Sequence, residues 1–103
     1  MSRLDADALL RRALERSADA AGLNLTVTRS DSARWASATF NGARHELTLV
    51  LPDNPAAAAW LHHVPDAELS LRGHLVADAT VVRTTRADGR MTASLEALTV
   101  EDC

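Results

Sequence analysis

The hydrophobic period of this chain changes at Gly22, and that change limits the fold more than any other feature. Upstream, Leu10, Ala13, Leu14, Ser17 and Ala21 recur at spacings of three and four. Such a stripe predicts an amphipathic helix over residues 3–21, with Arg11, Arg12, Glu15 and Asp19 off the buried side. Ser2 followed by Asp5 resembles a capping box, and Gly22 stands where a helix stop is expected. Downstream the period is two. A chain that switches from 3.6 to 2 must lay a helix on a sheet.

Leu23, Leu25 and Val27 alternate with Asn24, Thr26 and Thr28, which predicts a half-buried strand, and Ser30-Asp31-Ser32 reads as a turn. Residues 33–40 alternate again, with Ala36, Ala38 and Phe40 opposite Trp35, Ser37 and Thr39. Asn41-Gly42 carries the residue types of a type I′ hairpin turn. Residues 44–51 place His45, Leu47, Leu49 and Leu51 on one face, and Arg44, Glu46, Thr48 and Val50 on the other. Pro52-Asp53-Asn54-Pro55 ends that strand and caps a second helix, which must stop near Pro65. A long alternating run follows from Glu68 to Arg83, with Gly73 in it as a predicted bulge. A turn at Ala87–Arg90 leads to a last strand over 91–100.

The expected fold is one α+β domain over residues 1–103, in the order α-β-β-β-α-β-β. Short turns between successive strands imply a mainly antiparallel five-stranded sheet, with both helices packed on one face. At 103 residues, a single chain of this size buries only about two thirds of its unfolded surface, so a deep pocket within one copy is not expected.

Strands apolar on one parity only need one cover. Here Leu75, Ala77, Ala79 and Val81 are apolar, and so are Val76 and Val82 on the opposite parity; Leu95 and Ala97 are matched by Leu98 and Val100. Two short helices cannot cover both faces. A second copy of the chain is therefore the expected cover, with Trp35, Val76, Val82, Leu98 and Val100 as interface residues. A bulge at Gly73 that swaps the faces is the competing explanation.

Composition narrows the setting. There is no Lys, Ile, Tyr or Gln, and all 11 basic residues are Arg, as in GC-rich bacterial coding. The net charge of −3 and the mixing of acids with Arg11, Arg12 and Arg16 argue against nucleic-acid binding. The one cysteine, Cys103, makes no internal disulfide, and the N-terminus lacks a long apolar run, so a cytoplasmic protein off the membrane is expected.

Three of the four histidines fall within WLHHVPDAELSLRGH, residues 60–74. Adjacent helical residues diverge by about 100°, so His62 and His63 do not share a metal and instead suit the carbonyls and dipole of a helix end. Arg72 and His74 share a strand face about 7 Å apart, with Asp78 further along it. Asp78 interrupts the apolar LVADATVV, where a carboxylate needs a partner or stays protonated. Arg72, His74, Asp78 and His45 are the ligand-cleft candidates. No motif for covalent catalysis, nucleotide binding or zinc is present, and no catalytic residue, metal or cofactor is assigned.

In element order the chain resembles the class I type III secretion chaperones, small acidic homodimers, and departs from them by stopping one helix short. The likeness covers topology alone. Acidity, small size, the two-sided apolar strands and the absence of catalytic motifs imply a non-enzymatic module that binds a protein or peptide and acts as a homodimer. The alternative is a small-ligand binder or enzyme built around Arg72, His74 and Asp78.

Overall fold

The computed structural model describes residues 5–102. The first helix, α1, spans Ala6–Ala20. Its N-cap is Asp5, whose carboxylate accepts from the Ala8 amide at 2.9 Å; the Ser2 half of the expected capping box lies outside the described residues. Ala21 is the C-cap and Gly22 follows it. Leu10, Ala13, Leu14 and Ala18 are buried, and Ser17 accepts the Trp60 indole N–H at 3.0 Å.

Four strands follow among the described residues, not five: β1 (Thr26–Ala36), β2 (Asn41–Pro52), β3 (His74–Ala87) and β4 (Arg90–Glu101). The sheet is antiparallel in the order β1-β2-β4-β3, and α2 (Pro55–His63) with a short 3₁₀ turn (Val64–Asp66) links its halves. The order is thus α-β-β-α-β-β, and the expected likeness in element order to the secretion chaperones loses a strand with it.

The missing turn explains the difference. Ser30-Asp31-Ser32 pairs residue by residue with Leu47, Glu46 and His45, so the two predicted strands are one. Turn-forming residues are tolerated because β1 is an edge strand and Ser30 reaches the Asp7 carboxylate on α1. Asn41 and Gly42 lie inside β2, and the β1–β2 loop is Ser37–Phe40, closed by the Ser37 amide on the Phe40 carbonyl at 2.7 Å. Phe40 is therefore exposed at a loop tip. The left-handed pair stands instead at Asp88-Gly89 (φ 54° and 75°), joining β3 to β4.

Gly73 is not a bulge within a strand. It takes φ 78° in the turn before β3, and its carbonyl accepts from the Asp102 amide. The bulges fall later in β3, between Val76 and Asp78 and between Val81 and Arg83. Each swaps the faces. The broken alternation of β3 is thereby explained without burial on both sides; that of β4 is not.

The core fills one face of the sheet. Leu47, Leu49 and Leu51 of β2 and Met91, Ala93, Leu95 and Ala97 of β4 pack in one cluster with α1 and with Trp60, Leu61 and Val64. Both helices thus cover the same face. Asn54 caps α2 by accepting from the Ala57 amide, and Pro55 takes its first turn. Among the described residues no helix is long and apolar enough to cross a membrane.

Candidate functional site

The face turned away from the helices is open, and the strand register orders its side chains into rows across all four strands. Nearest the β1–β2 loop lie Trp35, Gly42, Val100 and Leu75, then Ala33, Arg44, Leu98 and Asp78. The third row is Asp31, Glu46, Glu96 and Thr80, and the fourth is Arg29, Thr48, Ser94 and Arg83. The first row, with Leu98 beside it, forms an apolar end, where Leu75 is 57% exposed. The third sets two glutamates directly opposite each other, an unfavourable cross-strand pair. Arg29 bonds Asp31 at 2.7 Å, and the carboxylate raises the Arg29 guanidinium above its ordinary value. Both side chains are well solvated, so the pair adds little stability.

The helix-covered face carries a second candidate, at the N-terminal end of α1. Most of this face is Leu, Ala and Met, but its end is polar. His45 (1% exposed) and Thr99 (0%) are buried there. The His45 Nδ1 lies 3.1 Å from Asp7 Oδ1, and Nε2 lies 2.8 Å from Thr99 Oγ1. A carboxylate only accepts, so Nδ1 donates; with the ring neutral, the Thr99 hydroxyl donates to Nε2. The Ala43 carbonyl, 3.5 Å from that hydroxyl, is its weaker acceptor. The other Asp7 oxygen accepts from Ser30.

Carboxylate, imidazole and hydroxyl in this order match a nucleophilic triad in connectivity. Thr99 is fully enclosed and points into the core, so no substrate carbonyl reaches it. The chain Asp7–His45–Thr99 is a tether that fastens the start of α1 to the two central strands. Asp7→Ala leaves the buried Nδ1 donor unpartnered and is expected to cost about 2 kcal/mol, read as a lower urea midpoint. His45→Leu added to Asp7→Ala removes that orphaned donor and should recover part of the loss.

Beside the tether is a cleft of about 420 Å³, lined by Asp5, Asp7, Ser32, Arg34, His74 and Glu101 above small Gly42 and Ala43. His74 stands opposite Glu101 across β3 and β4, and its Nδ1 is buried with no partner among the described residues.

Sequence reasoning grouped Arg72, His74 and Asp78; the structure separates them. Arg72 is exposed in the turn before β3, His74 faces the helix side, and the first bulge turns Asp78 to the open face, where it is exposed. Asp78 is thus not a buried carboxylate. His45 and His74, in contrast, meet at the same end of the helix face. Of the interface candidates, Trp35, Leu98 and Val100 lie on the open face, and Val82, 50% exposed, sits at the second bulge beside it. Val76 is placed on the helix side against the core, and Leu75 takes its place outside. His62 and His63 meet edge to face at 5.2 Å, exposed at the end of α2.

Asp7, Arg34, Thr99 and Glu101 escaped sequence reasoning. Asp7 reads as a complement to the helix dipole, and Thr99 as the polar member of an alternating strand. Only the parity that Thr99 and Glu101 share with Ala97 on β4 hinted that they face the helix side. Among the described residues no three His, Cys, Asp or Glu come close enough to hold a metal ion. No family model, curated protein or solved structure matches the chain.

Proposed function

We propose that the chain is a non-enzymatic interaction module that acts as a homodimer, two copies packing open sheet face on open sheet face. The observation that carries this reading is the row Trp35–Gly42–Val100–Leu75 with Leu98 beside it, an apolar end on a face that none of the described elements covers. Four strands of this length offer about 700 Å² per copy, close to the roughly 800 Å² per partner of a standard interface.

Charge selects the arrangement. A two-fold axis along the strands sets Glu46 of one copy on Glu96 of the other, like charge on like. A two-fold axis across the strands, midway between the third and fourth rows, sets Asp31 on the partner's Arg29 and both glutamates on the partner's Thr48 and Ser94. The second arrangement leaves no carboxylate facing a carboxylate, lays the Leu98 row on the partner's Thr26–Val50–Thr92–Thr85 row, and gives a four-layer α-β-β-α body.

The partner-binding half of the reading rests on β1. From Arg29 to Ala36 its ladder is unbroken and no other described strand pairs with its outer edge, the form that an extended peptide extends by one strand. The bulges of β3 blunt the opposite edge. The bacterial, cytoplasmic setting expected from composition and the single cysteine accompanies this reading. Sedimentation equilibrium at micromolar concentration is expected to give the dimer mass; a monomer throughout that range overturns the proposal.

A further inference from the structure

We propose that the cleft at the start of α1 is a binding site for a small zwitterion of the amino-acid type. The polar side chains that line this cleft divide into a partnered set and an unpartnered set. The tether accounts for Asp7, His45, Thr99 and Ser30. It leaves Arg34, His74, Glu101 and one Asp5 oxygen. Neither Arg34 nor Glu101 makes an ion pair among the described residues. Asp5 gives one oxygen to the Ala8 amide and keeps the other. The half-buried His74 ring stands in the wall beside Glu101, its Nδ1 without a partner among the described residues.

The uncommitted charges are of both signs and stand on opposite walls. Arg34 is on the outer strand β1, across from Ala43 and Thr99. Glu101 lies two residues beyond Thr99 on β4, beside His74. Two strand spacings and one pair step put the Cα atoms of Arg34 and Glu101 about 12 Å apart. With both side chains reaching inward, the gap fits one small molecule. Gly42 and Ala43 supply a floor without bulk.

A simple anion at Arg34 meets the carboxylates of Asp5 and Glu101. A simple cation meets Arg34. A ligand with an ammonium group at Glu101 and Asp5, and a carboxylate at the Arg34 guanidinium, satisfies both walls, and guanidinium–carboxylate geometry is the stronger half.

The test is an amide-resolved NMR titration of the full chain with glycine and with β-alanine, against methylammonium and acetate. Either amino acid should give saturable shifts at residues 5–7, 34, 43, 74 and 101, with the single-charge probes at least about tenfold weaker. Arg34→Ala and Glu101→Gln should each bring the amino acid down to the level of a single-charge probe. Both positions lie outside the apolar core, so unchanged unfolding midpoints show that the fold is intact. Equal binding of methylammonium or acetate overturns the assignment, as does the absence of any shift, or binding unmoved by both variants. The cleft and the proposed dimer face lie on opposite sides of the sheet. A chain held monomeric by Leu98→Glu should therefore bind the same probes, and each proposal can fail alone.

Discussion

Leu98→Glu is expected to convert the proposed dimer into monomers, weakening association by about 100-fold or more. Leu98 lies in the second row of the open face, between Arg44 and Asp78, and is half-buried in one copy. In the proposed face-to-face packing it is enclosed opposite Thr92 of the partner subunit. A carboxylate there is removed from water without a partner, twice per dimer, and about 3 kcal/mol of lost association corresponds to about 100-fold in Kd. In the separated chain the same carboxylate sits in water beside Arg44, so the monomer keeps its fold. The measurement is sedimentation equilibrium with thermal unfolding at low protein concentration as the control. A variant that still sediments as a dimer removes the open face as the contact.

Gly42→Ala should destabilise the chain by about 3 kcal/mol, at the upper end of the usual cost of overpacking. A Cβ at Gly42 would lie 2.1 Å from the Thr99 carbonyl oxygen and 2.6 Å from the nearest atom of the Trp35 indole. The indole can turn away. The carbonyl belongs to the backbone of the neighbouring strand and cannot move without opening the β2–β4 ladder. For a domain of this size the loss corresponds to a drop in Tm of roughly 15 °C. Trp35→Ala combined with Gly42→Ala divides the two causes: the double variant should recover only the share due to the indole. Full recovery would mean that the carbonyl contact carries no cost. The expectation runs opposite to the usual gain from replacing a strand glycine.

That glycine also shows where reading by pattern stops. Asn41-Gly42 has the residue types of a hairpin turn, and local chemistry supports nothing else. Its actual role is to make room for an indole and a carbonyl that arrive from β1 and β4. The same holds for Ser30-Asp31-Ser32, which reads as a turn and pairs as a strand because β2 supplies the ladder. In β3 the two bulges are silent in the sequence. The first turns Asp78 out while His74 stays in, and so dissolves one candidate cleft and leaves His74 beside another.

By itself the sequence determined what depends on neighbours along the chain. Period and caps marked both helices, the buried face of β2, the Asp88-Gly89 turn and the α+β class, because these rest on local spacing and backbone preference. The two-sided apolar pattern of β4 was legible as well, and the proposed dimer rests on it. Only the tertiary structure decided how many strands form, where the register slips, and which polar groups meet. Asp7, His45 and Thr99 are 38 and 54 residues apart in pairs, and their contact depends on three elements closing around one point. Spacing along a chain carries no record of such a meeting, since register and helix placement are set by burying the leucines and not by the polar groups that this burial brings together.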